Sequence, residues 1–354
     1  MRAEAVVVKQ KSAGGIYFPA VDAAGGKERR TLLVIGENRE DAECNCPGAQ
    51  PVGSRVVESM RLAPWPVERP GADDRLRAEI LEDFAEIVLS RCIDHMQISL
   101  SGDTCGRYFA ALAAKAQELG VSVAVTVNRS AQECDARLQS ALDLPVLPEH
   151  PSVRGLRYLA KRAIDVSLTA VALVVLSPLV LAIAIAVKAT SRGPVFFLQE
   201  RVGYRRRTFR MWKFRTMVEN AEALRSQVEA LNNARGISFK VFRDPRLTRI
   251  GSFLRRSSLD ELPQLINVLL GEMTLVGPRP IPVWVAEQLE EHSYFRRFSV
   301  MPGLTGLWQV EGREQDFDRM ARQDLRYVDG WSLALDLRLL TRTLPAVLRG
   351  EGAH

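Results

Sequence analysis

The longest apolar stretch of the chain runs from 166 to 187 and reads VSLTAVALVVLSPLVLAIAIAV, without a charged residue. A helix of about 20 such residues is long enough to cross the hydrocarbon core of a bilayer. This part of the chain is therefore predicted to enter a membrane. Ser177 and Pro178 stand at its middle, where proline removes a helical hydrogen bond and favours a break.

Basic residues flank the apolar stretch on both sides. They are Arg154, Arg157, Lys161 and Arg162 before it, and Lys188, Arg192, Arg201 and Arg205 to Arg207 after it. Because basic flanks favour the cytoplasmic side, a re-entrant helix that turns back at Ser177-Pro178 suits both ends. The Ser177 hydroxyl or neighbouring helices are candidate partners for the carbonyls freed there. A kinked spanning helix and a buried helix of a soluble protein remain alternatives.

Residues 1–150 alternate between apolar runs and a helical pattern. Four runs are predicted as strands: RTLLVIG, EIVLS, HMQISLSG and VSVAVTVN. A helix is predicted from Gly106 to Leu119, between the last two. This order indicates a Rossmann-like α/β accessory domain over 1–150. No GxGxxG motif follows its first strand, so no dinucleotide cofactor is expected. The proline-rich segment 142–154 reads as a linker.

The second domain, 151–354, is predicted to be mainly helical, with the re-entrant membrane helix at 161–190. The segments PVFFLQERVG and FRMWKFRTM follow that helix, and a further helix is predicted from Glu219 to Asn233. Leucines recur at helical intervals from Leu333 to Leu348. That pattern suits an amphipathic helix at a membrane surface and a core-packing helix equally well.

Charge separates the two halves of the chain. Residues 1–150 hold 17 Lys and Arg against 22 Asp and Glu, whereas 151–354 hold 31 against 20. The basic half can meet nucleic acid, anionic lipid or phosphorylated small molecules. The apolar stretch and the lack of RNA-binding, zinc or heptad motifs disfavour nucleic acid.

Cysteine and histidine give no metal or disulfide pattern. All five cysteines lie in the first half, and neither they nor the four histidines show metal-ligand spacing. An odd count argues against a disulfide framework. Together with the lack of a signal peptide, this favours a reducing, cytoplasmic setting.

Adjacent carboxylates stand in the segment RRSSLDELPQL, at Asp260 and Glu261. Ser258 and Glu261 have the spacing of a capping box, which would give Glu261 a purely structural role. Pro263 would distort that first turn. In either geometry the two acids lie beside a helix N-terminus. Since neighbours in a helix point about 100° apart, they are expected to have separate roles.

The acidic pair and the nearby basic residues suit phosphoryl transfer. One carboxylate can attack phosphorus while the other holds Mg²⁺, which prefers oxygen ligands. Phosphate oxygens need positive charge, and the candidates are Lys213, Arg215, Arg255 and Arg279. Each of these alone is more often a solvated surface charge or a lipid contact, and only their combination favours a phosphate site.

Several ordered motifs resemble the bacterial sugar transferases, the monotopic polyprenyl-phosphate phosphoglycosyl transferases. The motifs are KRAIDV, SPLVL, GPVFFLQERVG, FRMWKFRTM, RRSSLDELPQLINVLLGEMTLVGPRP and PGLTGLWQV. The resemblance implies that Asp260 is the nucleophile of a phosphosugar-enzyme intermediate, that Glu261 binds Mg²⁺ and that Arg255 holds phosphate. It also implies a re-entrant break at Ser177-Pro178 in the cytoplasmic leaflet.

The resemblance further implies a UDP-hexose donor, an undecaprenyl phosphate acceptor and a place on the cytoplasmic face of the bacterial inner membrane. The product would begin a polysaccharide or glycoconjugate, and a homodimer is a further expectation. A catalytically silent membrane scaffold is the alternative. The first half resembles the accessory domain of larger members, without the transmembrane bundle that usually precedes it. Glu272, where the family commonly has Asp, and the basic turn Arg205 to Arg207 depart from the family pattern.

Overall fold

The computed structural model describes two compact units of the chain. The described residues are 29–35, 54–61, 72–100, 105–127, 150–153, 155–221, 224, 228, 237, 244–311 and 316–348. One unit comprises 1–149 with 291–296, and the other comprises 150–290 with 297–354. Cys44, Cys46, Cys134, most of the segment 142–154 and most of the helix predicted over 219–233 lie outside the described residues.

The described residues of the first unit form a four-stranded parallel sheet and two helices. The strands are β1 (Arg29–Ile35), β2 (Ser54–Arg61), β3 (His95–Leu100) and β4 (Ser122–Val127), in the order β2-β1-β3-β4. The helices are α1 (Ala72–Ser90) and α2 (Cys105–Glu118). The predicted α/β alternation is confirmed for β1, β3, α2 and β4.

One prediction for this unit is wrong, and one strand was missed. EIVLS is not a strand but the end of α1, whose buried positions Ile80, Phe84 and Val88 follow the helical period into this run. A short apolar run is compatible with either a strand or a helix. Here the helical turns before it extend through the run. The strand β2 was not predicted, because SRVVESMR interrupts its apolar residues with charge.

The apolar stretch forms a single long helix, α3 (Gly155–Thr190). Its most apolar 18-residue window has a mean hydropathy of 2.9 and is only 11% buried, so the helix is long and apolar enough to cross a membrane. Side chains at its middle point outward, with Val174 74% and Val175 68% exposed. A core helix of a soluble protein would bury these side chains, whereas lipid would cover them.

The proline in α3 leaves one carbonyl without its helical donor. Pro178 has no N–H for the carbonyl of Val174, four residues earlier. The Ser177 hydroxyl donates to that same oxygen over 2.8 Å. The predicted partner is thus confirmed, and the helix remains continuous through the proline.

Apart from α3, the part of the second unit that the structure describes contains short strands and further helices. The strands are β5 (Phe196–Val202), β6 (Thr208–Phe214), β7 (Thr274–Val276), β8 (Ile281–Pro282) and β9 (Gly303–Thr305). The helices are α4 (Arg249–Arg256), α5 (Gln264–Leu270), α6 (Val283–Ala286), α7 (Leu307–Val310), α8 (Phe317–Asp329) and α9 (Leu333–Leu348). β5 pairs antiparallel with β6 and β8, and β7 pairs parallel with β9. The predicted helix at Leu333–Leu348 is confirmed.

The basic turn between β5 and β6 is partly internal. Arg206 and Arg207 are buried, and the Arg205 guanidinium lies 4.9 Å from the centre of the Tyr204 ring. Arg205 and Arg206 both have positive φ, so the turn is tight. Only part of this positive charge is therefore presented at the surface.

A buried polar network fastens the start of α3 to α8 and α9. The Lys161 ammonium lies 2.6 Å from the Asp336 carboxylate and donates to the Val276 carbonyl over 3.0 Å. The Tyr327 hydroxyl and the Trp331 indole N–H donate to the same carboxylate over 2.8 and 3.1 Å. Asp336 therefore neutralises Lys161 and accepts hydrogen bonds from three donors at once.

Replacement of Asp336 by Asn is expected to destabilise the protein by about 3–5 kcal/mol, because it leaves the Lys161 charge buried without its counter-charge. Thermal unfolding in lipid nanodiscs measures the loss. Asp318→Asn is the matched control, since Asp318 is exposed on α8. Equal unfolding midpoints for the two variants would contradict a structural role of the network.

Candidate active site

The acidic pair lies on a tight turn between α4 and α5. Residues Leu259–Glu261 form one 3-10 turn, and Pro263 directly precedes α5, where its missing N–H has no helical acceptor to lose. Ser258 adopts φ +56° and its side chain caps nothing. The capping box is therefore wrong, because the left-handed conformation of Ser258 turns its side chain away from the amides. The predicted position beside a helix N-terminus is confirmed.

Glu261 binds two cations that arrive from distant parts of the chain. The Lys213 ammonium donates to Oε1 over 2.9 Å. The Arg279 guanidinium also donates to Oε1, and its Nη1 lies 3.4 Å from Oε2. Burial opposes the charged carboxylate, but Arg279 and Lys213 outweigh it and hold the pKa of Glu261 well below its usual range. Glu261 is thus a permanent anion in this cluster.

Asp260 has a different environment, although it is the next residue. It is 7% exposed, and among the described residues no group donates a hydrogen bond to its carboxyl oxygens. The Lys213 ammonium is 3.9 Å from Oδ2. Burial raises the pKa of Asp260, Lys213 works against that rise, and the charge of Glu261 adds to it. The expectation of separate roles for the two acids agrees with these opposite shifts.

The helix α5 places Lys213 within reach of both acids. The Asn267 side chain accepts from the Trp212 main-chain N–H over 3.0 Å and donates to the Arg210 carbonyl over 2.8 Å, which fixes α5 against β6. Asn267 also donates to Glu272 over 2.7 Å. Glu272, the departure from the family pattern, therefore supports the residue that aligns the site.

Arg255 faces Asp260 from α4. Its Nε donates to the Thr216 hydroxyl over 3.0 Å, and its charge acts on the Asp260 carboxyl. Gly251 allows α4 to come this close, because a Cβ there would lie 1.9 Å from the Thr216 carbonyl oxygen. Burial lowers the pKa of Arg255, and Asp260 partly restores it.

Arg215 lies apart from the acidic pair. Its Nη2 donates to the Ser191 carbonyl and hydroxyl, over 2.9 and 2.6 Å, just beyond the end of α3. Of the four basic candidates, Lys213, Arg255 and Arg279 thus gather around the acids, and Arg215 instead fastens the membrane helix. One short motif, FRMWKFRTM, supplies both kinds of residue.

Arg201 is a further cation of the site that the sequence did not single out. It donates from Nη1 to the Pro280 carbonyl over 2.9 Å and from Nη2 to the Gln199 side chain over 2.6 Å. Burial beside Arg279 lowers the pKa of Arg201 to about 9, and Glu261 acts against that fall. Its place depends on the pairing of β5 with β8, which no local pattern reveals.

The cluster carries more positive than negative charge. Four cations, Arg201, Lys213, Arg255 and Arg279, act on two carboxylates. The excess favours an anion such as a phosphate ester, and arginine binds phosphate through two parallel N–H groups.

The acidic pair also suits a magnesium ion held together with a substrate. Across the described residues, no group of three or more His, Cys, Asp or Glu side chains is arranged to hold a metal. Mg²⁺ is commonly bound by one or two carboxylates together with substrate phosphates, and not by a protein cage. Asp260 and Glu261 match that smaller donor set.

Comparison with known proteins identifies relatives for the second unit. The family model described as bacterial sugar transferase matches residues 156–350. The exopolysaccharide production protein ExoY of Sinorhizobium fredii is 39% identical over 213 residues, which are 58% of this chain and 93% of that protein. The galactosyl transferase CpsE of Streptococcus agalactiae is 45% identical over 163 residues, 46% of this chain and 36% of that protein.

A third relative, the UDP-glucose:undecaprenyl-phosphate glucose-1-phosphate transferase of Escherichia coli, is 37% identical over 218 residues. The match covers 59% of this chain and 45% of that protein. The chain thus spans nearly all of ExoY but less than half of the other two. Because the family model covers more than half of the sequence and contains every residue of the acidic cluster, the chain belongs to the bacterial sugar transferase family.

Proposed function

We propose that the protein transfers a hexose-1-phosphate from a UDP-sugar to undecaprenyl phosphate, which initiates a polysaccharide or glycoconjugate. The observation that carries the proposal is the acidic pair Asp260-Glu261 inside an excess of cations, in the same unit as an exposed apolar helix. The Escherichia coli relative, named for transfer of glucose-1-phosphate from UDP-glucose to undecaprenyl phosphate, supports both substrates.

In the first step, a carboxylate oxygen of Asp260 attacks the phosphorus that carries the sugar. A new oxygen–phosphorus bond forms, the bond from that phosphorus to the bridging oxygen breaks, and UMP leaves with the bridging oxygen and its electron pair. The Lys213 ammonium, 3.9 Å from Oδ2, favours the charged carboxylate that attacks. Arg255, Lys213 and Arg279 offset the charge on the phosphate oxygens.

In the second step, a phosphate oxygen of undecaprenyl phosphate attacks the phosphorus of the aspartyl-phosphosugar. The bond to Asp260 breaks, the carboxylate is regenerated and the lipid diphosphate sugar is released. Lys213 lies close to both acids and stabilises the returning carboxylate of Asp260. Both steps use the same cations, so one cluster serves two substrates in turn.

Replacement of Asp260 by Asn is expected to abolish transfer, because an amide forms no acyl phosphate. Transfer of labelled sugar phosphate from a panel of UDP-sugars to undecaprenyl phosphate, by purified protein with Mg²⁺, measures the activity and names the sugar. Asp318→Asn is the matched control and keeps wild-type turnover.

Full turnover of Asp260→Asn would remove Asp260 as the nucleophile. If folded wild-type protein transfers nothing from any UDP-sugar, the proposed reaction is wrong and the catalytically silent scaffold is favoured. If the unfolding midpoint of the variant equals that of the wild type, the loss of turnover comes from loss of the nucleophile and not from unfolding.

Mg²⁺ is part of the proposal, with Glu261 as its protein ligand. When bound, it supplies positive charge to the phosphate oxygens of the donor. The anionic state of Glu261, held by Arg279 and Lys213, keeps an oxygen ligand ready.

Removal of divalent cations with EDTA is expected to stop transfer, and added Mg²⁺ to restore it, because the donor phosphates lose a counter-charge. Glu261→Gln lacks the anionic ligand. Its Mg²⁺ concentration for half-maximal turnover should be at least about tenfold higher than that of the wild type. Titration of the rate with MgCl₂ measures both. Turnover that persists in EDTA would contradict a role for the metal.

We also propose that α3 is re-entrant in the bacterial inner membrane, with the active site on the cytoplasmic face. Arg162, on its first arm, donates to the carbonyls of Val268 and Leu269. Ile183, on its second arm, packs in a cluster that includes Leu262. In a straight helix residues 162 and 183 would be about 32 Å apart. Their contact residues, 268 and 262, are only about 9 Å apart along a helix. A bend at Ser177-Pro178 accommodates both sets of contacts.

Single cysteines at Arg157 and Arg192, in a background without the five native cysteines, are expected to react from the same side. Both positions are exposed: Arg157 lies in the first turn of α3, and Arg192 lies just beyond its last residue. An impermeant maleimide should label both in inverted vesicles and neither in intact spheroplasts. Labelling of Arg192→Cys only in spheroplasts would instead establish a spanning helix. Val175→Cys, at the tip, should stay unlabelled in both.

A further inference from the structure

Arg279 is held through its main chain as well as through its guanidinium. The Arg297 Nη2 donates to the Arg279 carbonyl over 2.7 Å and to the Asp324 Oδ2 over 2.6 Å. Asp324 in turn accepts a hydrogen bond from the Arg279 main-chain N–H. A single ion pair therefore binds both polar groups of the Arg279 peptide backbone.

The sequence around Arg279 explains why it needs these partners. Pro278 and Pro280 flank it, so Arg279 has the one main-chain N–H of the three residues, and neither proline can continue a ladder of hydrogen bonds. Buried main-chain groups without partners are costly. Arg297 and Asp324 supply the partners from two other segments, and Arg201 binds the next carbonyl, that of Pro280.

Stability alone does not account for the Arg297–Asp324 pair. Each side chain is only 1% exposed, so both charges lose their hydration on folding. Burial raises the pKa of Asp324 to about 6, with Arg297 opposing that rise, which reflects the cost of charge at this site. Apolar residues of similar volume often stabilise such a position as well or better. What they lack is the ability to fix a neighbouring peptide.

We infer that Arg297 and Asp324 are positioning residues of the transfer reaction, which hold the Arg279 backbone so that its guanidinium meets both Glu261 and a phosphate of the donor. This inference rests on the proposed function. Arg297 and Asp324 bind each other and the Arg279 main chain rather than either acid, so they act through Arg279. A displacement of about 1 Å in a group that binds reacting phosphate can lower the rate by about 100-fold.

The test is a mutant cycle with Arg279. Arg297→Met combined with Asp324→Leu removes both charges together and avoids an isolated buried ion. We expect this pair of changes to lower kcat/KM by about tenfold or more in the native background. In an Arg279→Ala background the same changes should cost less than about threefold, because the group that they position is gone. An equal loss in both backgrounds, or no loss, would overturn the inference.

Arg297→Lys provides a second variant that keeps the buried charge. It retains an ion pair with Asp324, but its ammonium lacks the planar fork of arginine. Its unfolding midpoint should be near that of wild type. Arg297→Lys should lower activity in the native background but not in the Arg279→Ala background. It keeps the cycle decisive if the double replacement does not fold.

Binding of UDP, measured by calorimetry on all variants, separates this inference from the proposed reaction. If the wild type binds UDP but transfers nothing, the reaction is wrong, and the cycle is judged on UDP affinity alone. Weaker UDP binding that depends on Arg279 supports positioning, and UDP affinity that is independent of Arg279 overturns it. A wild type that neither transfers sugar phosphate nor binds UDP overturns both.

Discussion

The site is arranged around the ion pairs that Glu261 makes with Lys213 and Arg279. Lys213 comes from β6 and Arg279 from the loop before β8, and both point at the same oxygen, so one anion joins segments that are far apart in sequence. Among the described residues, Lys213 and Arg279 donate to Glu261, and no group donates to Asp260. The opposite pKa shifts of the two adjacent acids thus follow from the placement of the cations as well as from burial.

The apolar helix α3 contacts the same elements that carry the residues of the site. Arg162 binds the carbonyls at the end of α5, whose first residue follows the turn of the acidic pair. The C-terminal part of α3 packs on Phe214 and Leu254, which adjoin Lys213 and Arg255 in the sequence. A movement of the helix in lipid would therefore reach residues adjacent to the catalytic cluster. This arrangement suits the proposed transfer to a lipid acceptor.

Local features of the sequence predicted much of the site. The acids, three of their four cations and the apolar helix are all found where short motifs indicated, because each depends on a few neighbouring residues. The family is confirmed by comparison. EIVLS was wrong, since its helical state depends on residues before it, and the Ser258 cap failed because of a left-handed turn. Arg201, Arg297 and Asp324 were missed, because only tertiary packing brings them to Arg279. The Rossmann-like shape, the re-entrant topology and Mg²⁺ remain predictions.

The two prolines beside Arg279 have a consequence for the thermodynamics of anion recognition. Each restricts its own φ to a narrow range before any ligand arrives, and Pro280 also restricts Arg279 to extended conformations. Ordering a free backbone residue costs about 1–2 kcal/mol of conformational entropy at room temperature. In this loop most of that cost is met during folding. A phosphate that binds Arg279 would therefore lose less free energy to ordering the backbone, and its affinity would be higher.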